Sequence, residues 1–325
     1  GLSLWKAVRN ALARPAPAAP RSEVVKTLID SFRYPRKGPG MLWEACAAHV
    51  RRLGGEVRKG RRVTGCAYDS TRRRWTVTHT DASGAEETLV ADHVVSSAPI
   101  RDLARSLSPA LSPAAAAAAG ALHYRDFLTV VLIAPDRRVF DDNWIYVHDP
   151  HVMVGRIQNF KSWSPEMVPD PQMACYGLEY FCFEGDGLWS SSDEALLARG
   201  KAEMETLGLV RASDVVDGCV VRQPKAYPVY DDGYADNVAV VRREIEQRFP
   251  GLHLVGRNGM HKYNNQDHAM MTALLCAKNI LAGETLYDLW AVNQDAEYHE
   301  AGTRPAASDG SSGLRQVPVR ISPAA

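Results

Sequence analysis

The chain has 325 residues, and its 38 basic side chains balance its 38 acidic ones, so the formal net charge is zero. A balanced charge gives no general attraction to nucleic acid, which binds proteins through an excess of Lys and Arg. No apolar run approaches the roughly 18 residues that a membrane-spanning helix needs, so we expect no membrane span. Hydrophobic residues make up 46% of the chain, as in ordinary globular proteins, and the length allows two domains or one large one.

The six cysteines are widely spaced and form no C-x-x-C pair. Cys46 and Cys276 lie in apolar patterns, where a free thiol packs as a small hydrophobe. The basic opening "GLSLWKAVRNALARPAPAAP" lacks the long apolar core of a secretory signal peptide. These observations predict a reducing, cytoplasmic location without structural disulfides.

Helices are predicted in the first part of the chain. Apolar residues at helical spacing indicate helices over 2–13 and 23–32, separated by the linker "RPAPAAP". The loop "YPRKGPG" cannot be helical inside, because of its Pro and Gly residues. A third helix is predicted over 41–53, where Gly54 and Gly55 stop it.

The hydrophobic period changes to two after Glu56, which predicts three strands up to Pro99 with "DASG" as the turn of a hairpin. Residues 100–121 are helical in character and include the alanine run 114–119, which is explained by helix propensity.

Strands dominate the middle of the chain and alternate irregularly with helices. Strands are predicted in "DFLTVVLIAP", "NWIYVHD", "VMVGRIQNF", "MACYGLEYFCFEG", "VVDGCVVRQPKAYPVYD" and "LHLVG". Helices are predicted in "SDEALLARGKAEMETLGL", capped by Ser192 or Asp193, and in "VAVVRREIEQRFPG". Because the order is not a regular βαβ alternation, we expect a mixed α+β or α/β fold with a mainly antiparallel sheet flanked by helices.

A polar loop, 256–266, leads into an apolar helix that is predicted to begin near Asp267 and to be buried on most sides. A buried helix start needs partners for its free N–H groups. Asp267 could cap the helix locally. Alternatively, Gly256 and Gly259 allow a close backbone approach, and the amides and Arg257 suit a planar, partly anionic ligand at the helix start.

Several stretches resemble one flavin-dependent superfamily, which includes amine oxidases, protoporphyrinogen oxidases, phytoene desaturases and UDP-galactopyranose mutases. The segment "GLHLVGRNGMHKYNNQDHAMMTAL" resembles the C-terminal element of that superfamily that contacts FAD. The segments "FRYPRKGPGMLWEACAAHVRRLGGEVRKGRRVTGCAYD", "ADHVVSSAP" and "KAYPVYDDGY" resemble further family elements in the family order. The likeness covers about residues 31–283 and implies an FAD-dependent oxidoreductase acting on a small-molecule substrate.

The resemblance also implies roles for individual residues. Val63 would offer backbone groups to the adenine end of FAD, while Gly256 and Arg257 would lie along its diphosphate and ribityl chain. The remaining cofactor contacts would come from Asn265, Gln266 and Asp267 at the flavin pyrimidine edge and from Gly38 and Gly40 at the flavin face. The substrate side would be lined by Trp144, Tyr227 and Tyr230. No catalytic residue and no metal ligand is implied.

The chain departs from the family pattern at its start. The family opens with a βαβ unit that carries G-x-G-x-x-G, and the 325 residues contain no such motif. The chain also begins without Met, so we expect a missing N-terminal Rossmann segment and only a partial FAD-binding domain. The expected organisation is a helical part of the substrate domain (1–37), a return segment of the FAD domain (38–100), the substrate domain (101–250), the FAD-contacting strand, loop and helix (251–283) and a weakly structured tail (284–325).

Two alternatives remain open at this point. One is a mutase-like flavoenzyme with no net redox change, acting on a nucleotide sugar that Arg156 and Arg222 would hold. The other is a non-catalytic fragment that cannot hold FAD by itself. Glu179 has no visible partner acid, so acid–base chemistry is unassigned. His148 and His151 are interpreted as parts of a polar loop rather than metal ligands.

Overall fold

A computed structural model describes residues 33–293, so the helices predicted over 2–13 and 23–32 and the tail beyond 293 lie outside the described residues. The described helices are α1 (Gly40–Arg52), α2 (Ile100–Ser106), α3 (Pro113–Gly120), α4 (Phe160–Trp163), α5 (Asp193–Thr206), α6 (Tyr234–Arg248), α7 (Gly256–Gly259) and α8 (Gln266–Ala282). The described strands are β1 (Arg62–Asp69), β2 (Arg74–Thr80), β3 (Glu86–Ala91), β4 (Val94–Ser96), β5 (Leu107–Ser108), β6 (Tyr124–Pro135), β7 (Trp144–Tyr146), β8 (Arg156–Asn159), β9 (Met173–Cys182), β10 (Asp217–Pro228) and β11 (Leu252–Leu254).

The strands form three sheets, which confirms the predicted mixed α+β fold. A five-stranded antiparallel sheet has the order β10-β6-β9-β8-β7, and a four-stranded sheet has the order β3-β2-β1-β5. The third sheet is a parallel pair of β4 and β11. The third predicted strand is divided into β3 and β4 by a bend at Asp92, and the segment 100–121 is divided into α2 and α3 by β5.

One core lies between the four-stranded sheet and helices α2, α3 and α6, and Trp75 is at its centre. The Trp75 side chain is fully buried, and its ring packs against Tyr68 and Phe249 with centroid distances of 5.1 Å and 6.0 Å. Its indole N–H donates to the carbonyl oxygen of Pro250 at 3.0 Å. Trp75 therefore fastens the sheet to the turn that leads into β11.

A second core lies between one face of the five-stranded sheet and α5. It contains Leu128, Val130 and Leu132 of β6 together with Leu196 and Met204 of α5. Ser192 caps α5 by accepting a hydrogen bond from the Ala195 N–H at 3.2 Å, as predicted. Because α5 covers this face, the opposite face of the sheet remains for other contacts. We call this opposite face the open face; its central residues are Thr129, Gln158 and Glu179.

Helix α8 is less buried than predicted. Within the described residues, its buried side chains are Thr272, Leu275 and Cys276, whereas Leu274 and Leu281 are 57% and 87% exposed. The expectation that α8 is buried on most sides is therefore wrong for this part of the chain. The physical reason is that no described element lies over its second apolar face.

The same exposure affects α1, which has no buried residue although Leu42 and Trp43 are large and apolar. Strands β4 and β11 pair only with each other within the described residues. Parallel strands normally belong to larger sheets that are covered on both faces. No helix among the described residues combines the length and apolar character that a bilayer crossing requires.

Residues just after α8 are held against the fold. The side chain of Asn279 accepts hydrogen bonds from the N–H groups of Leu286 and Tyr287, both at 3.0 Å. Lys262 is buried and donates from Nζ to the carbonyl oxygen of Trp290 at 3.0 Å. The start of the predicted tail is therefore ordered, at least as far as residue 293.

Replacing Trp75 with Ala is expected to lower the free energy of unfolding by about 3–5 kcal/mol, because the indole leaves a cavity and the Pro250 carbonyl loses its donor. Urea denaturation of the purified chain measures the change. The control is Val90→Ala on the neighbouring strand β3, where the side chain is 61% exposed and a change within about 0.5 kcal/mol is expected. Equal effects of the two substitutions would show that Trp75 does not hold the sheet to β11.

Candidate functional site

Helix α8 begins with an open first turn. Asn265 is the N-cap residue, and its backbone N–H donates to Nδ1 of His268 at 3.2 Å. The cap therefore uses Asn265 and His268 rather than Asp267, whose carboxylate lies 3.8 Å from the same His268 nitrogen. The side chains of Asn265, Gln266 and Asp267 are all exposed. The Asn265 side chain accepts the backbone N–H of His268, which completes a capping box. The N–H groups of Gln266 and Asp267 have no acceptor inside the helix, so this turn presents donors and a partial positive charge to its surroundings.

The loop before α8 is held by Gly256, which has a positive φ of 76°. Its N–H donates to Oγ1 of Thr272 at 2.9 Å, and its carbonyl accepts from Nδ2 of Asn264 at 3.2 Å. A Cβ at Gly259 would lie 2.6 Å from the carbonyl oxygen of Ser96, so this glycine is required for the close approach of the loop to β4. The backbone N–H and carbonyl of Gly256 are thus bonded within the protein, and its position along the FAD diphosphate and ribityl chain stays a prediction.

Arg257 joins this loop to the end of β10. Its Nε donates to the carbonyl oxygen of Asn264 at 2.8 Å, and Nη1 donates to that of Ala226 at 3.1 Å. The guanidinium carbon lies 4.9 Å and 5.0 Å from the ring centroids of Tyr227 and Tyr263. Arg257, which was predicted to contact the flavin, therefore links the loop before α8 to the end of β10 through Nε and Nη1. Its Nη2 group remains available for other contacts.

The predicted substrate residues Tyr227 and Tyr230 lie beside this junction. The rings of Tyr227 and Tyr263 are stacked at 5.5 Å, and the Tyr230 hydroxyl accepts a hydrogen bond from the Tyr263 N–H at 2.6 Å. Tyr230 also stacks on Tyr234 at 4.2 Å. The structure thus brings Arg257, Tyr227 and Tyr230 together next to the start of α8, with Tyr263 as the bridge.

A polar network lies on the open face of the five-stranded sheet. Glu179 is only 5% exposed and accepts hydrogen bonds from Nε of Arg156 and, at 2.9 Å, from Nε2 of Gln158. Gln158 in turn accepts from the indole N–H of Trp163 at 2.7 Å. Burial alone lowers the pKa of Arg156, but the hydrogen bond and charge of Glu179 outweigh it, so this pKa lies above its ordinary value. Glu179 thus serves Arg156 as its counter-ion, and nothing in this network makes it a proton carrier.

Trp144, Gly38 and Gly40 lie at the opposite edge of that sheet. The rings of Trp144 and Trp163 are stacked at 5.3 Å, and Trp163 also stacks on Tyr34 at 4.9 Å. A Cβ on Gly38, which has a φ of 90°, would contact Cε of Met167 at 3.4 Å, whereas Gly40 is exposed at the start of α1. Trp144 is therefore on the β7 edge, four strands away from Tyr227 on β10.

Val63 lies in the four-stranded sheet, apart from both groups. It pairs with His79 on one side, next to a register shift between Val63 and Gly65. Strand β5 covers the other edge of β1 at Cys66 and Ala67 alone, so no described strand lies beside Val63 there. Its backbone can meet a ligand at that edge, and its contact with adenine stays a prediction.

Arg222 lies on the α5 side of the sheet, away from Arg156. Its guanidinium donates to the carbonyl oxygens of Trp189 and Ser191 and to the carboxylate of Asp193 at the start of α5. The two arginines therefore do not form the clamp that the sequence left open for a nucleotide sugar. Of the two loop histidines, His151 contacts Asp149 at 2.8 Å on the surface.

Sequence reasoning did not find Arg125, Phe181 and Phe183, which also lie on the open face near Tyr227. The guanidinium carbon of Arg125 lies 5.9 Å and 5.6 Å from the ring centroids of Phe181 and Phe183. Alternation within β6 could have placed Arg125 on the same face as Phe127. The pairing of β6 with β9 and β10, which brings these residues together, was not readable from the sequence.

His261, which flanks the loop, is a buried structural residue. Its Nε2 lies 3.2 Å from the carbonyl oxygen of Val229, and its ring contacts Tyr124 edge-on at 4.9 Å. Burial lowers the pKa of His261 to about 4. It has a positive φ of 47°, a conformation that Asn also tolerates.

The pKa of His261 makes stability depend on pH. Between about pH 6.5, the ordinary value for unfolded His, and pH 4, the unfolded chain binds a proton that the folded chain does not. Stability should therefore fall as the pH drops through this window, with a slope of up to about 1.4 kcal/mol per pH unit from this residue. We expect His261→Asn to have a smaller slope, measured by urea denaturation at several pH values. The control is His148→Asn, which replaces an exposed histidine. A slope in His261→Asn no smaller than in this control would contradict the assignment.

Comparisons with known proteins identify the family of the chain and similar folds. A family model for flavin containing amine oxidoreductases matches residues 4–281. The fold resembles that of reduced UDP-galactopyranose mutase, with a TM-score of 0.67 at 18% identity over 81% of this chain and 56% of that protein. It also resembles a putative protoporphyrinogen oxidase from Exiguobacterium sp. 255-15, with a TM-score of 0.54 at 18% identity over 69% of this chain and 49% of that protein.

These structural likenesses show the fold alone, and the chain spans only about half the length of either protein. Among curated proteins, no relative matches the chain. The family model, by contrast, covers most of the 325 residues, from the first predicted helix to the end of α8. The chain therefore belongs to the flavin containing amine oxidoreductase family.

Proposed function

We propose that this chain forms the substrate side and one wall of the flavin site of an FAD-dependent oxidoreductase. The observation that carries the proposal is the open first turn of α8 directly beside the Arg257–Tyr227–Tyr263 junction. A helix start with exposed donors suits a partly anionic planar ring, and the neighbouring aromatic face suits a substrate. The two surfaces meet at Tyr263, as a site for transfer between cofactor and substrate requires.

When bound, the flavin would supply the redox chemistry by accepting a hydride from the substrate. The residues of this chain would orient and tune it. The N–H groups of the first turn of α8 would face the pyrimidine edge, where the helix dipole favours the negative charge of the reduced ring. Tyr227 and the open face behind it would hold the substrate.

The residues present fit the ring end of FAD better than its diphosphate. The 325 residues contain no G-x-G-x-x-G motif, and the polar backbone groups of Gly256 are already bonded. We propose that a dinucleotide-binding βαβ unit outside these residues completes the site. The exposed apolar sides of α1 and α8 and the two-stranded parallel pair β4–β11 support this, because such surfaces are normally covered.

The mutase-like alternative is less well supported. It relied on Arg156 and Arg222 as an anion clamp, but Arg156 is paired with Glu179, and Arg222 is paired with Asp193 on the other side of the sheet. The third possibility, a chain that cannot hold FAD by itself, is compatible with the proposal. The chain would form only part of the flavin site, and the protein that also contains the dinucleotide-binding unit would be the enzyme.

Flavin binding by the completed protein tests the proposal. We expect the purified protein that contains this chain and its dinucleotide-binding unit to show the visible absorption of bound flavin. Asp267→Ala should change the affinity for FAD by roughly two- to fivefold and raise the flavin potential, because it removes a negative charge beside a ring that becomes anionic on reduction. Equilibrium dialysis and a reductive titration measure the two quantities.

The matched control is Glu284→Ala, which removes an exposed carboxylate just beyond the other end of α8 and should change neither quantity. If Asp267→Ala binds flavin with unchanged affinity and potential, the start of α8 is not part of the flavin site. Absence of flavin from the completed protein would end the proposal as a whole.

A further inference from the structure

Arg125 is an arginine without a counter-ion on the open face of the five-stranded sheet. It is exposed, and no carboxylate within the described residues forms an ion pair with it. In the sheet it is paired directly with Tyr227 of β10, the residue that touches Arg257. Its guanidinium lies near the rings of Phe181 and Phe183, at 5.9 Å and 5.6 Å.

Aromatic rings form the floor beside Arg125. The ring centroids of Phe127 and Phe181 are 5.7 Å apart, and Tyr227 lies 6.2 Å from the first and 6.1 Å from the second. Phe181 and Phe183 are 46% and 49% exposed, which is high for rings of this size on a sheet. Such an exposed apolar cluster indicates a surface that is covered by a ligand or partner in function.

The charges around this floor do not cancel. Arg125 and Arg257 have no carboxylate partner among residues 33–293, whereas Arg156 is paired with Glu179. Arg125 and Arg257 thus leave two positive charges beside the aromatic rings of Phe181 and Tyr227. Arginine donates in a planar fork that matches a carboxylate, so a ligand with a carboxylate would pair with these two positive charges.

We propose that the substrate is an apolar molecule with a carboxylate, whose body lies on Phe127, Phe181 and Tyr227 and whose carboxylate binds Arg125 and the Nη2 group of Arg257. The inference deepens the proposed function, because it rests on the open face being the substrate side of the flavin site. It assigns Arg125 to substrate binding, a role that no sequence pattern indicates.

The same charges weigh against two other substrate classes. A simple protonated amine would meet two unneutralised arginines, and like charges repel. A nucleotide sugar presents many hydroxyl and amide groups that need hydrogen-bond partners, and the rings of the floor offer almost none. An apolar acid can pack its body on the aromatic rings and pair its carboxylate with the arginines.

Calorimetric titration of the purified 325-residue chain tests the inference without any flavin. The probes are 1-naphthoate, its neutral analogue 1-naphthamide, and UDP. We expect 1-naphthoate to bind more tightly than the other two, and Arg125→Gln to weaken it by about tenfold while leaving 1-naphthamide unchanged. Arg125→Lys keeps the charge but not the planar fork and should give an intermediate loss.

The control is Arg137→Gln, an exposed arginine just beyond the other end of β6 that pairs with Asp214, and it should bind 1-naphthoate as the unchanged chain does. Equal binding of 1-naphthoate and 1-naphthamide, no binding of 1-naphthoate, or equal behaviour of Arg125→Gln and Arg137→Gln would overturn the inference. Tighter binding of UDP that Arg125→Gln weakens would also overturn it, in favour of a nucleotide sugar. Because no probe contains flavin, a failure here is separate from a failure to bind FAD.

Discussion

The guanidinium of Arg257 is the contact on which the site depends. It bonds to one carbonyl at the end of β10 and to another in the loop before α8, and it lies close to the rings of Tyr227 and Tyr263. The five-stranded sheet and the last long helix belong to different layers of the fold. This side chain holds the two together, along with the stack of Tyr227 on Tyr263 and the hydrogen bond from the Tyr263 N–H to the Tyr230 hydroxyl. A lysine could not do the same, because it lacks the rigid fork that reaches two acceptors at once.

Around this junction, some charged side chains are paired within the protein and others are available to bind a ligand. Asp126 is buried and accepts backbone hydrogen bonds from Glu184 and Lys225, so it holds two turns and takes no part in binding. Arg156 with Glu179 and Arg222 with Asp193 are likewise matched pairs. What remains near Tyr227 is a pair of cations over exposed rings. The selectivity of the site would follow from these two unpaired arginines and not from the net charge of the chain, which is zero.

The sequence predicted helices, strands and turns better than it predicted which of their faces are buried and which side chains meet. Periodicity located α1, the hairpin at Asp81–Gly84 and the helix capped by Ser192, because these depend on local pattern and turn chemistry. The glycine-bounded loop before α8 was also recognised from the sequence, by its resemblance to a flavin-contacting element. Burial of α8 was predicted wrongly, because an apolar helix was assumed to be covered by residues of the same chain. Arg125 was missed because its importance arises from strand pairing: Tyr227 is 102 positions away along the sequence and directly opposite in the sheet.

The parallel pair β4–β11 has a consequence for the behaviour of the chain in solution. Each strand has an outer edge with unpaired backbone donors and acceptors among the described residues, and such edges readily accept a further strand. If no other strand pairs with these edges, two copies of the chain can form backbone hydrogen bonds with each other there. We therefore expect the isolated chain to self-associate reversibly as its concentration rises, and the completed protein to remain dispersed. Solubility would then report whether the outer edges of β4 and β11 are covered.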